Sequence, residues 1–441
     1  MTTGPLDDDR LDNLRQIGDP DADALAAALR EGHEDLDERD LVRLVLDGLA
    51  APAQAEAGEL RDWLFGGPPL PDWADRARIR AGQEFFADWT LPVCTALFCA
   101  SLPTGYAGAD GVQVLALTSD LASSDMRRRI AETAQMLMDV MDPGPRSPGT
   151  LEPGGQGHMT VRGVRLLHGV VRDTILTSPA VTHTCDETVP RRWCAAWGHP
   201  INQEDLLGTL LTFTVSVLNA LDRIGIPYDD DGAEGYVHVW CVVGAQLGID
   251  PSLLPLTRTE ATELADTIYR RQHGPSVAGE RLMAVLLTQM ELAMPWGLRK
   301  LPRTLVRQMT RPGVADLVGV PKAAWWRPLL DATRATGSVL RRVPGADKVC
   351  AVPGDLLGRS MIRMFVDSEL DGVRPAFRLD VTTADALAVT TSDARRHRRR
   401  ARVATRAARR SPAVETRGPG EALLTGRRPP SPESPGTELA S

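Results

Sequence analysis

The chain contains no run of the roughly 18 uninterrupted apolar residues that a membrane-spanning helix needs. Its nearest candidate, residues 206–221, is broken by Gly208, Thr209, Thr212, Thr214, Ser216 and Asn219, a pattern that suits a helix buried in protein. It lacks any C-x-x-C pair. Its six cysteines, Cys94, Cys99, Cys185, Cys194, Cys241 and Cys350, are therefore read as reduced thiols in a reducing compartment. His183, Cys185, Cys194 and His199 fit no zinc-ligand spacing. Phosphate-loop, dinucleotide-binding, nucleophile-elbow and H-E-x-x-H motifs are all absent. Period-two alternation is almost absent as well, which excludes a β-rich fold. The first residues, MTTGPLDDDR, have neither the basic nor the apolar part of a secretory signal. A cytoplasmic protein, at most peripheral to a membrane, is expected.

What is present is charge, unevenly placed, and helical periodicity. The net charge is −8, with an acidic start and a strongly basic stretch at residues 395–410. The middle is mixed, so no specific nucleic-acid partner is expected. Residues 1–18 read as a flexible lead. Residues 19–382 read as one mainly α domain, with helices expected at 19–32, 41–50, 91–102, 123–140, 161–177, 200–225, 235–248, 259–271, 277–293, 301–311 and 326–340. Residues 112–121 fit either helix or strand. From 383 to 441 a run of arginines gives way to Pro- and Ser-rich sequence, and a disordered tail is expected.

Residues 161–177, VRGVRLLHGVVRDTILT, organise the rest. Val164, Leu167, Val171 and Ile175 share one helix face. Arg165, His168 and Arg172 share a second face beside it. Buried cations need an anionic partner, so something negative must lie against this second face. Acidic residues of a neighbouring helix and a bound anionic cofactor both satisfy that requirement. In residues 200–225 Asn202 is a good N-cap, Glu204 and Asp205 complement the helix dipole, and Gly225 ends the helix. On residues 123–140, Ser124 or Asp125 serves as cap, and Arg129 and Thr133 face the same way.

Three stretches taken together carry a resemblance: R-x-x-H-x-x-x-R at Arg165, His168 and Arg172; R-x-x-x-T at Arg129 and Thr133; and PINQEDLLGTLLTF from residue 200. In this order they resemble the rubber oxygenase (latex clearing protein) and MpaB-type oxygenase family. Further likeness runs through GDPDAD at residue 18 and RPGVADLVGVP at residue 311. The resemblance implies a globin-like helical core with peripheral helices, holding haem b. It implies His168 as the iron ligand, Arg165 and Arg172 as supports of the haem or its propionates, and Arg129 and Thr133 in the pocket wall. It implies O2 and an apolar substrate, cleaved at a C=C bond. Rubber-cleaving members carry a lysine directly before the pocket threonine; here that residue is Glu132, the candidate distal group. Gln113 falls near the position of their acidic base. An isoprenoid or other unsaturated lipid is the substrate class expected, with a haem- or lipid-binding protein without catalysis as the alternative.

Overall fold

A computed structural model describes residues 6–32, 59–118, 123–142, 149–177, 193–322 and 335–336. These fall within the first of two units of the chain, Met1–Val389. The helix expected at 41–50, nearly all of that at 326–340 and the tail lie outside the described residues, as do the side chains of Ser124 and Asp125.

The fold is helical throughout, and the described residues form no strand. An isolated bridge pairs Gly108 with His273. The first helices are α1 (Asp8–Leu14), α2 (Pro20–Gly32) and α3 (Glu59–Phe65). Asp7 caps α1, accepting from the Arg10 N–H, while Leu11 and Leu14 are buried, so part of the expected flexible lead is an ordered helix. Next come α4 (Arg76–Asp88), α5 (Thr90–Ala96), a π-helical turn at Leu97–Ser101 and α6 (Leu102–Tyr106). The helix expected to end at Pro103 thus runs on. A proline near the start of a helix removes only an N–H that has no intrahelical acceptor, and the π turn restarts the helix just before it.

Helix α7 (Val112–Leu117) settles the ambiguous segment as helix; α8 (Ser123–Met141) and α9 (Gln156–Thr177) follow. The long helix expected at 200–225 is two: α10 (Gln203–Phe213) and α11 (Val215–Ile224). Thr214 breaks it with φ −104° and ψ −83°, its hydroxyl donating back to the Leu210 carbonyl at 3.1 Å. Such back-bonding by threonine bends helices. Both expected caps hold: the Asn202 side chain accepts from the Asp205 N–H at 2.9 Å, and Gly225 ends α11 in the left-handed region at φ 82°. The span Gln203–Ile224 has the length and apolarity to cross a membrane, yet 72 % of its most apolar window is buried within the fold. The remaining helices are α12 (Asp230–Gln246), α13 (Arg258–Gln272), α14 (Val277–Leu292), α15 (Leu301–Met309) and α16 (Val314–Leu317).

The core centres on α12, which from Gly232 to Gly244 is buried except at Glu234. It lies along α4 with backbones in contact. A Cβ on Gly82 would sit 2.3 Å from the Gly235 carbonyl oxygen, and one on Gly235 would sit 2.6 Å from the Gly82 nitrogen. Only hydrogen fits between these chains, and backbone cannot move aside as a flexible side chain can. Gly82→Ala should therefore force the helices apart and lower stability by about 3 kcal/mol, the upper part of the overpacking range. A urea midpoint equal to that of the wild type would show that the helices separate freely.

Helix α1 is fastened to the rest by charge. The Arg15 guanidinium donates to Glu204 at 3.3 Å, to Asp205 at 3.1 Å and to the Trp197 carbonyl at 2.5 Å, and it lies 3.5 Å from Asp110. Glu204, fully buried, also accepts from Arg271 at 3.2 Å and from Gln272 at 2.8 Å. Arg271 in turn reaches Asp8 at 2.8 Å and Asp12 at 2.5 Å on α1. The acidic pair expected to serve the dipole of α10 is thus the anionic centre of an ion-pair network.

Burial, then Glu204 and Asp110, raise Asp205 to about 6 against the pull of Arg15. Its folded pKa lies above the unfolded value of about 3.9, so the folded state holds this proton more tightly. Stability from Asp205 is full below about pH 4 and is lost as pH rises to about 6. Asp205→Asn should remove that loss. Urea unfolding between those limits should show wild type declining relative to the variant, and parallel pH profiles would refute the assignment.

Candidate functional site

Helix α9 packs against α2, α8, α3 and α12. At its closest approach to α2 it carries Gly169, where a Cβ would stand 2.7 Å from the Ala22 carbonyl oxygen. That closeness lets three aspartates at the start of α2 reach the cationic face of α9. Arg165 donates through Nε and Nη2 to the two oxygens of Asp19, at 2.5 and 2.7 Å, and from Nη2 to Asp21 at 3.1 Å. The Asp19 pairing is a two-pronged fit of guanidinium to carboxylate. Arg172, 1 % exposed, donates from Nε to Asp23 at 2.7 Å and from Nη1 to the carbonyls of Ile201 at 2.7 Å and Pro200 at 3.3 Å. Its Nη2 is buried without a partner.

The negative charge required by this face is therefore supplied within the chain. Of the two partners open to the sequence reading, the neighbouring helix holds Arg165 and most of Arg172. The stretch GDPDAD, which carries part of the family likeness, also supplies the counter-ions of α9, a role not expected from its sequence. Its signal was acids at every second position in the first turn of a helix, more than a dipole requires.

His168 lies between the two arginines and is half-buried. Its Nδ1 is buried and makes no hydrogen bond. Burial first, then the Arg172 charge, lower its pKa to about 4 against the pull of Asp19. The imidazole is neutral near pH 7, the form in which histidine binds a metal. An unpaired nitrogen on a neutral ring has the chemistry of a residue that would hold haem iron. The arginine heads fit propionates less well, since carboxylates already hold them; Arg172 Nη2 is the exception.

Helix α8, which bears the second set of expected residues, packs against α9. Arg129 and Thr133 are half-buried and Glu132 is buried. Thr133 donates to the Arg129 carbonyl at 2.9 Å. Arg129 acts electrostatically on Tyr106, whose hydroxyl burial raises to about 12 despite that charge. Gln113, on α7, is buried and donates to the Ala109 carbonyl at 2.9 Å within its own turn. Val114 and Leu117 of α7 join Val171 and Ile175 of α9, with Trp193, Cys194 and Trp197, in a separate apolar cluster. The apolar face foreseen on α9 thus divides between this cluster and the main core, where Val164 lies.

Two further residues, Arg162 near the start of α9 and Trp63 on α3, were not foreseen. Arg162 stacks over Trp63 at 4.2 Å and donates to the Trp63 carbonyl at 2.5 Å. Burial and the neighbouring Arg165 lower its pKa to about 10.

The cysteines correct the expectation of six thiols. Cys94, Cys99 and Cys241 are free, but Cys194 is disulfide-bonded. Sequence spacing reports nothing of the Cα separation on which a bridge depends. The bridge also removes Cys194 from any metal set, and the described residues hold no cluster of three or more metal-ligating side chains.

Comparison with known proteins agrees with this architecture. The model of the family described as ER-bound oxygenase mpaB/B'/Rubber oxygenase, catalytic domain, matches residues 83–342. The rubber oxygenase of Streptomyces sp. (strain K30) is 25 % identical over 291 residues, 63 % of this chain and 64 % of that protein. The match thus spans slightly less than two thirds of the relative's length. The structure of latex clearing protein LCP in the closed state superposes with a TM-score of 0.60 at 22 % identity, covering 80 % of this chain and 91 % of that one. The helical fold is therefore that of latex clearing protein, and the chain belongs to the mpaB and rubber oxygenase catalytic-domain family.

Proposed function

We propose that the protein is a haem-b-dependent oxygenase that cleaves a C=C bond of an apolar isoprenoid or unsaturated lipid with O2. The observation that carries this reading is His168, neutral and with an unpaired ring nitrogen, on a helix packed against the one bearing Arg129, Glu132 and Thr133. Haem, when bound, supplies the oxygen chemistry.

The chain's residues hold, orient and polarise. His168 would hold the iron through a ring nitrogen. Arg165 and Arg172 act mainly as positioning residues, because their pairs with Asp19 and Asp23 fix the turn of α9 on either side of His168. Arg172, whose Nη2 has no partner, would help to hold a propionate. Glu132 is the candidate distal group, able to take or hold a proton, and Thr133 and Arg129 complete that wall. The disulfide at Cys194 supports action in an oxidising compartment over the cytoplasm.

The test is oxygen uptake by haem-loaded protein given an unsaturated isoprenoid, with analysis for paired carbonyl products. Uptake with both products is expected. Haem binding with uptake no greater than that of free haem would favour the alternative, a haem- or lipid-binding relative, which Glu132 in place of the family's lysine motivates. A colourless protein from haem-replete cells would defeat the oxygenase reading and leave only a lipid-binding relative.

A further inference from the structure

Between α14 and α15 the chain makes a short turn that presents apolar residues to solvent. Leu292, at the end of α14, is 60 % exposed and Trp296 is 87 % exposed, the most exposed of the large apolar residues described. The small residues beside them, Ala293, Pro295 and Gly297, are exposed too. Beyond Leu298, Arg299 and Lys300 are exposed cations that enter no ion pair among the described residues. The one acid in the sequence from residue 289 to 303, Glu291, spends both oxygens on Arg303. The turn is thus locally positive on a chain whose net charge is −8.

We propose that this turn is a peripheral anchor for a bilayer surface rich in anionic lipid. The chemistry matches by depth. An indole settles at the level of the headgroups, with an aliphatic side chain reaching the acyl boundary below. Lysine and arginine beside it meet lipid phosphate and carboxylate above. A protein partner fits less well, because a stable interface buries about 800 Å² on each side, and this turn offers one exposed indole and one exposed leucine. A bilayer requires no matching concavity. The proposal stands independently of the haem reading and needs no cofactor.

The test uses the full-length chain and sedimentation with phosphatidylcholine vesicles, with and without phosphatidylserine. Binding is expected on the anionic vesicles. Arg299→Ser with Lys300→Ser should weaken it about thirtyfold, from the usual contribution of a cation near such a surface taken twice. Leu292→Ser with Trp296→Ser should abolish it. Lipids brominated in the acyl chain should quench part of the wild-type tryptophan fluorescence, and Trp296→Phe should lose that part. All these positions are exposed, so the variants retain the fold. Binding left unchanged by the Leu292 and Trp296 changes would overturn the proposal and assign binding to the basic tail. So would a wild type that ignores vesicles, or one that dimerises through Trp296 without binding lipid.

Discussion

His168→Ala should leave a folded protein that no longer retains haem. The change removes the imidazole that lies between Arg165 and Arg172 on α9 while leaving the pairs of Arg165 with Asp19 and of Arg172 with Asp23 in place. Its stability cost is small, since Nδ1 makes no hydrogen bond that the variant would lose. The difference therefore reports ligation. Wild type purified from haem-supplied cells should show a Soret band, with b-type α and β bands on reduction. In the variant, haem content should fall to background with the far-ultraviolet dichroism of a helical protein unchanged. His168→Gly should regain the band when imidazole is added, as a free ring enters the space of the lost one. Equal haem content in His168→Ala and wild type would end the ligand assignment, even if oxygenase activity were lost.

Arg15→Met should be the most damaging substitution outside that face. Arg15 is 6 % exposed and neutralises Glu204 and Asp205 at the start of α10, while donating to the Trp197 carbonyl. Methionine keeps much of the length and loses the charge. Removing one partner from a buried pair costs about 3–5 kcal/mol, because the other charge stays buried. Arg271 and Gln272 still serve Glu204, which places the expected loss near the lower end of that range. Adding Glu204→Gln should recover part of it, giving a coupling that two independent defects would lack. Urea unfolding of the two single variants and the double measures this. Strict additivity would show that Arg15 acts by packing alone.

Much of the fold was legible because helix periodicity and caps are local. Helices α9, α13 and α14 fall within a few residues of the stretches whose apolar spacing announced them, and Asn202 and Gly225 cap as their types suggest. The break at Thr214 was not legible: threonine is common within helices, and whether its hydroxyl turns back on the backbone depends on packing. Of the site, the sequence displayed His168 and its arginines but not their partners. Asp19 and Asp23 looked like ordinary residues of a helix start, and only the approach of α2 at Gly169 makes them counter-ions. Glu204 and Asp205 misled in the same way. Their position explained them too easily, and α1 lay in a stretch read as a lead. The bridge at Cys194 likewise depends on distances that spacing does not encode.

The clasp between α2 and α9 also bears on how the chain is made. Asp19 and Arg165 are 146 residues apart, and Asp23 and Arg172 are 149 apart. A ribosome adds about 5–20 residues per second, so α2 leaves it roughly ten seconds or more before its counterpart exists. During that interval the three aspartates have only water for company, and an isolated helix of this length is marginal. Contacts this distant also carry the loop-closure cost that slows folding. The earlier-made of the two helices is therefore secured late, and the face bearing His168 is finished only when α2 returns to it.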